Sequence, residues 1–324
     1  VIDTALTQIA AWQDAGVDLP VSVNISGFHL QQAGFLDELR ALLAAHPNVP
    51  RGYLELEVLE SSALEDIALV SAVIDASATL GVSFALDDFG TGYSSLTYLK
   101  RLPAQVLKID QSFVRDMLQD SDDLAILEGI LGLATAFRRR AIAEGVETVA
   151  HGETLLRLGC DLGQGYGIAR PMAAADLPAW RQRWRPDPRW AHAHCLDREL
   201  MPVLIAGVEH RGWIVALGEH LDGRRDAPPP LDHHQCRFGQ WLDKTIHQPR
   251  HAATFATIET LHLRVHALAA DLLKRRSQGH DVEALAGMAE LHALWDALLV
   301  HLEYLLKDDP RSLAPSSGGG SNCR

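Results

Sequence analysis

The sequence predicts two domains of different class, an α/β barrel-like domain followed by an all-α bundle. Up to about residue 180, short β-branched or apolar runs alternate with amphipathic segments, which is typical of βα units on a parallel sheet. From about residue 198 the pattern becomes wholly helical. Thirteen of the 16 histidines fall after residue 190, which indicates that the second domain has a different chemistry.

Six short runs predict the strands of the first domain. Amphipathic stretches such as residues 62–80 and 121–138 separate them, so each run with its helix forms one βα unit. Six successive units indicate a partial TIM-like (β/α) barrel. The runs are VSVNIS at 21, YLELEV at 53, SFALDDF at 83, VLKID at 106, AIAEGV at 141 and GQGYGI at 163.

Polar side chains stand within or at the end of the first five runs. Because the loops after barrel strands open on one face, we expect these groups to meet there. Their carboxylate and amide oxygens suit Mg²⁺ or Mn²⁺, and two such ions could clamp a phosphodiester and activate a water. The oxygen ligands are Asn24, Glu57, Asp87, Asp88, Glu144 and Glu147. Lys108 could orient the water or neutralise charge on the phosphorane, whereas a lone acid such as Glu55 is expected to form a salt bridge on the barrel rim.

The second domain follows a connection at residues 186–197 and consists of three long amphipathic helices. They are predicted at residues 198–220, 250–275 and 282–306, with a Pro-rich break at 228–230 and a short turn-helix through Cys236. Residues 308–324 are rich in glycine and serine and are predicted to be disordered.

Four residues of this domain form a candidate metal site. His262 and His266 lie at i and i+4 on the apolar face of one helix, and His210 lies on the apolar stripe of another. With the thiolate of Cys236 they make a closed tetrahedral set suited to Zn²⁺. His292 also falls on an apolar stripe and remains a rival ligand. His233 and His234 are expected to be exposed neighbours of the site or hydrogen-bond donors to its ligands.

Charge and composition exclude some functions. A formal charge of −13 argues against a surface that binds polymeric nucleic acid. No apolar run reaches the length of a membrane span, and the chain does not start with a signal peptide. The four scattered cysteines favour a reducing cytoplasm.

The first domain resembles the EAL-domain phosphodiesterases over residues 1–185. Six motifs carry the resemblance in order: VNIS, ELEVLES, DDFGTGYSSL, LKID, AEGVET and GCDLGQGYGIARP. The resemblance implies a two-metal hydrolysis of cyclic di-GMP to linear pGpG on an eight-stranded barrel. The strand with the Glu-Ala-Leu motif should precede Val1, so this chain is an EAL fold lacking its first two strands. We expect the natural protein to be active and this chain alone to be inactive.

The same resemblance assigns roles to individual residues. Asn24, Glu57 and Asp87 would hold one metal, with Asp87 bridging to a second that is held by Asp88 and Glu144. Lys108 resembles the catalytic lysine, Glu147 a carboxylate behind the metal ligands, and Gln164 an amide that orients substrate or water. Glu60 resembles the glutamate that steadies the DFGTGYSS loop, with Ser94 or Ser95 as its partner.

Residues 198–307 resemble the chemoreceptor zinc-binding (CZB) domain. The motifs are EHRGW, CRFGQW and HLRVH, and they imply a four-helix bundle in which His210, Cys236, His262 and His266 bind zinc. That family is linked to cytosolic metal sensing. Two alternatives to a zinc-regulated enzyme stay open: a receptor that binds cyclic di-GMP without cleaving it, and a zinc-responsive scaffold that forms homodimers through apolar helix faces.

Overall fold

The computed structural model describes residues 1–92, 96–197, 199–245 and 252–307. It divides into two compact units. The first comprises Val1–Arg115, Ile126–Leu156 and Cys160–Ala191, and the second comprises Asp116–Ala125, Arg157–Gly159 and the described residues from His192 onward. The boundaries 1–185, 186–197 and 198–307 stay a prediction, and the predicted tail 308–324 lies outside the described residues.

The first unit is built on a parallel sheet, which confirms the predicted α/β class. Its strands follow the chain in the order β1-β2-β3-β4-β5. The sixth predicted strand is short and joins the sheet through one parallel bridge between Ala143 and Gly163. The strands are β1 (Val21–Asn24), β2 (Leu54–Leu59), β3 (Ser83–Phe89), β4 (Val106–Ile109) and β5 (Arg140–Ala143).

Helices connect the strands and cover the sheet. The helix Ile67–Leu80 between β2 and β3 shows why they form: Asp66 caps it through a bond from the Leu69 amide, and Gly81 ends it with a φ of 88°. The helices are α1 (Ile2–Asp14), α2 (Gly27–Leu30), α3 (Phe35–Ala45), α4 (Glu60–Glu65), α5 (Ile67–Leu80), α6 (Leu96–Arg101), α7 (Gln111–Asp116), α8 (Ser121–Ala136), α9 (Val149–Arg157), α10 (Leu177–Arg183) and α11 (Pro188–His192).

The core of the first unit lies between the sheet and its helices. Alternate residues of β2 and β3 are large, apolar and fully buried, whereas the residues between them are acidic or small. The apolar set is Leu54, Leu56, Val58, Phe84 and Leu86. The opposite face of the sheet is therefore the one that carries the polar groups.

The second unit is all-α, as predicted. Its helices are α12 (Met201–Leu221), α13 (Arg237–Thr245), α14 (Ala252–Ser277), α15 (Asp281–Ala286) and α16 (Met288–Lys307). The last predicted helix is divided at Gly287, where a Cβ atom would lie 2.2 Å from Leu272 Cδ2. None of the helices in the described ranges has a stretch that is long and apolar enough to cross a bilayer.

Candidate active site and metal centre

The register of the parallel strands brings the predicted polar groups to one face of the sheet. Asn24 is paired with Glu57, and Lys108 is paired with Ile142. Since residues two apart on a strand face the same side, Glu144 lies on the face of Lys108. Glu57 is paired with Ala85, and Asp87 follows Ala85 by two residues, so Glu57 and Asp87 lie on the same face. The ends of β2 to β5 therefore bring their polar groups to one face of the sheet, and Asn24 of β1 lies beside Glu57.

Lys108 lies at the centre of this acidic cluster and is 4% exposed. Its Nζ donates to Glu57 Oε2 at 2.8 Å and to Asp87 Oδ1 at 2.8 Å. It also lies 2.6 Å from Glu144 Oε1. Burial would lower the pKa of Lys108, but the hydrogen bonds to the three carboxylates outweigh it and raise the pKa. The lysine is therefore held as a cation.

The cluster contains more negative than positive charge. Burial raises the pKa of Glu144, and Lys108 opposes that rise. Oxygens of Asp87, Asp88 and Glu144 lie within 4.8 Å of one another. One ammonium does not balance these carboxylates together with Glu57, and hard divalent cations take carboxylate oxygens readily. The donor set therefore fits a Mg²⁺ or Mn²⁺ site.

A β-bulge explains how adjacent aspartates serve one site. The pairing of β3 with β4 shifts register between Leu86 and Phe89, which inserts an extra residue at Asp87-Asp88. Asp88 adopts a φ of 53°, which is uncommon outside glycine. In a regular strand the two side chains would point to opposite faces, so the irregularity is what lets both carboxylates approach Glu144. Burial, with Asp87 and Asp110, raises the pKa of Asp88.

Glu60 supports the loop after β3 and does not touch Lys108. It is 2% exposed, and its Oε2 accepts the Gly90 amide at 3.0 Å. Burial raises its pKa, and the amides of Gly90 and Gly92 oppose the rise. Within the described part of the chain its Oε1 has no hydrogen-bond partner. The predicted partners, Ser94 or Ser95, lie outside the described residues.

The other predicted residues surround the cluster without joining it. Asn24 is exposed beside Glu57, and Glu147 and Gln164 are also exposed. Among the described residues, no hydrogen bond links the Glu147 or Gln164 side chain to Lys108. Their backbones are anchored, because the Gln164 amide donates to Ala143 at 2.8 Å and its carbonyl accepts the Val146 amide at 3.0 Å.

Glu55, which we expected to be structural, is paired one layer below the cluster. Its carboxylate accepts bonds from Ser22 Oγ at 3.0 Å and Ser83 Oγ at 3.3 Å, and it lies 3.5 Å from Arg140. The prediction of a salt bridge is confirmed.

In the second unit, His210, Cys236, His262 and His266 form one compact group. Their ligand atoms all lie within 4.8 Å of one another. His262 Nε2 is 3.1 Å from His210 Nε2 and 3.4 Å from Cys236 Sγ. Four N and S ligands around Zn²⁺ are about 3.3–3.8 Å apart, given its usual bond lengths. The spacing fits a tetrahedral zinc ion.

Backbone carbonyls orient two of these imidazoles. His210 Nδ1 donates to Ala206 O at 3.1 Å, and His266 Nδ1 donates to Leu231 O at 2.9 Å. Both rings therefore present an unprotonated Nε2 to the centre of the group. Within the part of the chain that the structure describes, His266 Nε2 is buried without a hydrogen-bond partner, which a metal would supply.

Burial keeps the histidines neutral, as metal binding requires. It lowers the pKa of His210 to about 4, with a contribution from His266. It lowers the pKa of His262 to about 2, with contributions from His210 and His266. Burial also raises the pKa of the Cys236 thiol. A metal ion would favour the thiolate instead.

The rival ligand His292 is exposed and outside this group. His233 is half-buried, with its ring 6.1 Å from those of His262 and His266. His234 is exposed and pairs with Asp243 at 3.0 Å. The expectation that these two are neighbours of the site therefore agrees with their positions.

The sequence analysis did not predict the aromatic rings and the turn that surround the group of three histidines and Cys236. Trp295 stacks on His210 at 5.3 Å, and the ring of Phe238 lies 5.1 Å from that of His262. The Gly239 amide donates to Cys236 Sγ at 3.1 Å. A Cβ at Gly239 would lie 1.7 Å from the His233 carbonyl, so only glycine fits this turn. The position of this glycine in CRFGQW was the available signal.

Comparisons with known families match both parts of the chain. The family model described as EAL domain matches residues 1–171, and the model described as chemoreceptor zinc-binding domain matches residues 210–273. Bifunctional diguanylate cyclase/cyclic di-GMP phosphodiesterase MucR of Pseudomonas aeruginosa is 44% identical over 180 residues, which are 55% of this chain and 26% of that protein. Cyclic di-GMP phosphodiesterase PdeR of Escherichia coli is 36% identical, over 57% of this chain and 28% of that protein.

Solved structures show the same likeness for the first unit. The P. aeruginosa MucR phosphodiesterase in complex with c-di-GMP is 43% identical, with a TM-score of 0.52, over 54% of this chain and 71% of that one. The EAL domain of Mycobacterium smegmatis DcpA is 35% identical, with a TM-score of 0.54, over 57% of this chain and 83% of that one. The chain spans about a quarter of the length of the curated relative MucR.

Proposed function

This chain belongs to the EAL domain family, and on that premise we propose that it carries the catalytic face of a phosphodiesterase that hydrolyses cyclic di-GMP to linear pGpG. The observation that carries the proposal is the convergence of Glu57, Asp87 and Glu144 on Lys108 at the ends of four strands. The names of the relatives support the substrate.

Five residues would hold two divalent cations. Asn24, Glu57 and Asp87 would bind one, and Asp87 would bridge to a second held by Asp88 and Glu144. Bound Mg²⁺ or Mn²⁺ would lower the pKa of a coordinated water and stabilise charge on the phosphate oxygens. The acidic face needs such ions for another reason, because an anionic phosphodiester is repelled by uncompensated carboxylates.

The remaining residues would orient the substrate and the attacking water and hold the surrounding loops in place. Lys108, kept protonated by its carboxylates, would donate hydrogen bonds toward the attacking water or the phosphorane oxygen. Gln164 would orient substrate or water, and Glu147 would fix the groups that hold the second cation. Glu60 would keep the loop from Gly90 onward in place through its bond to the Gly90 amide.

Zinc at His210, Cys236, His262 and His266 would regulate this activity. The closed ligand set leaves no position for a substrate water, which supports a sensing or structural role. We propose a cytoplasmic location, where Cys160 and Cys236 would not form disulfide bonds. Val300 and Tyr304 are exposed one turn apart on α16, and they support pairing of the bundles in a homodimer.

The test is turnover of cyclic di-GMP by the full-length gene product with Mg²⁺ or Mn²⁺. Replacing Glu57→Ala should lower kcat by at least about a hundredfold, because it removes several kcal/mol of cation-dependent stabilisation. Glu128→Ala is the matched control, since Glu128 is exposed on α8. Circular dichroism should confirm that both variants fold.

Two outcomes would contradict parts of the proposal. Tight binding of cyclic di-GMP with no turnover in the unmodified protein would make it a receptor. A rate that does not change between the zinc-loaded and chelated protein, with Mg²⁺ restored, would remove regulation by zinc.

A further inference from the structure

We propose that Trp190, in α11 and outside every motif discussed above, is a positioning residue that holds the catalytic face through helix α9; this inference rests on the proposed function. Its indole lies directly over Gly152, where a Cβ atom would be 2.5 Å from Cε2 and Nε1. The indole Nε1 also donates to the Val149 carbonyl at 2.7 Å. Both contacts are made to the first turn of α9.

That turn is tied to the loop that precedes it. The His151 amide donates to Thr148 Oγ1 at 3.1 Å, which caps the helix. The His151 ring accepts the Glu147 amide through Nδ1 at 3.4 Å. His151 is 6% exposed, so its ring is fixed by packing as well as by this bond. A shift of the first turn of α9 would therefore move Glu147.

The same loop leads to the acidic cluster three residues earlier. Glu144 lies 2.6 Å from Lys108, and Gly145 follows it with a φ of 74°. The Val146 amide donates to Gln164 at 3.0 Å, which ties the loop to the other predicted orienting residue. Trp190 thus braces a segment that carries Glu144 and Glu147, and small displacements of such groups are costly in catalysis.

An alternative is that Trp190 only covers apolar surface of the first unit. In that case its loss would lower the melting temperature and leave kcat unchanged. A positioning role predicts a change in kcat with little change in KM, because the reacting geometry is altered more than the binding of substrate.

The first experiment compares Trp190→Ala and Trp190→Phe in the full-length gene product with Mg²⁺. We expect Trp190→Ala to lower kcat by about tenfold to a hundredfold, the cost of a misplacement on the order of 1 Å. Trp190→Phe keeps a ring over Gly152 and should recover part of the rate. Trp184→Ala is the control, because Trp184 is also half-buried and contacts Trp180 instead of α9.

Gly152→Ala provides a test of the contact itself. With Trp190 present, the added methyl group would collide with the indole, and kcat should fall. In a Trp190→Ala background the methyl group has space and alanine favours the helix, so the same change should be neutral or restorative. Losses that simply add in the double variant would overturn the inference.

Amide hydrogen exchange on the 324-residue chain gives a readout that needs no turnover. Trp190→Ala should speed exchange in the peptide 144–157 and leave the strand peptide 53–59 unchanged. If the peptide 144–157 exchanged at the same rate in Trp190→Ala and in the unmodified chain, the positioning role would be overturned. If the full-length gene product shows no turnover at all, the proposed function fails, and the exchange result alone decides the role of Trp190.

Discussion

The positive charge of Lys108 lies among three carboxylates that come from three other strands. Glu57 is on β2, Asp87 is on β3 and Glu144 follows β5. Removing one partner of a buried ion pair leaves the other charge buried without compensation. The free energy of unfolding then falls by about 3–5 kcal/mol. Stability and catalysis are therefore linked at this residue.

Replacing Lys108→Met should abolish most of the turnover of cyclic di-GMP while substrate still binds. We expect kcat to fall by at least about a hundredfold, the usual effect of removing a group that stabilises developing charge. The measurement is steady-state turnover with saturating Mg²⁺. Lys100→Met is the control, since Lys100 is exposed on α6. A Lys108→Met variant with normal kcat would exclude the catalytic role.

Replacing His262→Ala should remove zinc from the second unit. His262 Nε2 lies 3.1 Å from His210 Nε2 and 3.4 Å from Cys236 Sγ, so its loss removes one of the four ligand atoms of the set. Zinc content measured by atomic emission should fall well below one ion per chain. His292→Ala, an exposed histidine of α16, should keep full zinc. Equal zinc loss in both variants would mean that the ligand set is wrong.

At the scale of elements, the turn before α13 determines where the Cys236 thiol points. The thiol donates to the His233 carbonyl at 3.2 Å and accepts the Gly239 amide at 3.1 Å. The turn can close this tightly only because residue 239 has no Cβ.

Replacing Gly239→Ala should therefore weaken zinc binding and destabilise the second unit. The methyl group would overlap the His233 carbonyl, which forces the turn and its thiol out of place. Gly207→Ala on α12 is the matched control, because the nearest atom to its Cβ is 3.9 Å away. That change should stabilise the helix by about 0.5–1 kcal/mol. Zinc titration and thermal unfolding would separate the two variants.

The sequence was sufficient to predict the strand ends and the candidate metal ligands that the second unit brings together. The alternation of residues along the strands and the i, i+4 spacing of His262 and His266 are local periodicities. They can be read directly from the sequence, and the sheet and the helices have the same periods. The bulge at Asp87-Asp88 was not predictable, because it depends on how β3 pairs with β4. The stacking of Trp295 on His210 arises in the same way from packing between distant helices.

At the scale of the whole molecule, the net negative charge of the chain opposes binding of the proposed anionic substrate. The formal charge of −13 opposes the approach of a phosphodiester over long range. The proposed cations at the strand ends would reverse that field locally, where Lys108 already supplies one positive charge. Affinity for cyclic di-GMP should therefore depend more on divalent cations than on surface lysines and arginines.

Zinc removal should destabilise the second unit selectively. Without the ion, the three imidazoles stay buried beside the half-buried thiol, and His266 Nε2 has no hydrogen-bond partner among the described residues. Each unsatisfied buried group costs about 1–3 kcal/mol, and the binding free energy of zinc is lost in addition. Amide exchange in peptides from α14 should accelerate with a zinc chelator and restored Mg²⁺, while peptides from β2 and β3 should not change.

The His262→Ala variant, already free of zinc, should show no response to the chelator. If peptides of both units accelerated together in the unmodified protein, the two units would unfold as one and the zinc site would stabilise the entire chain.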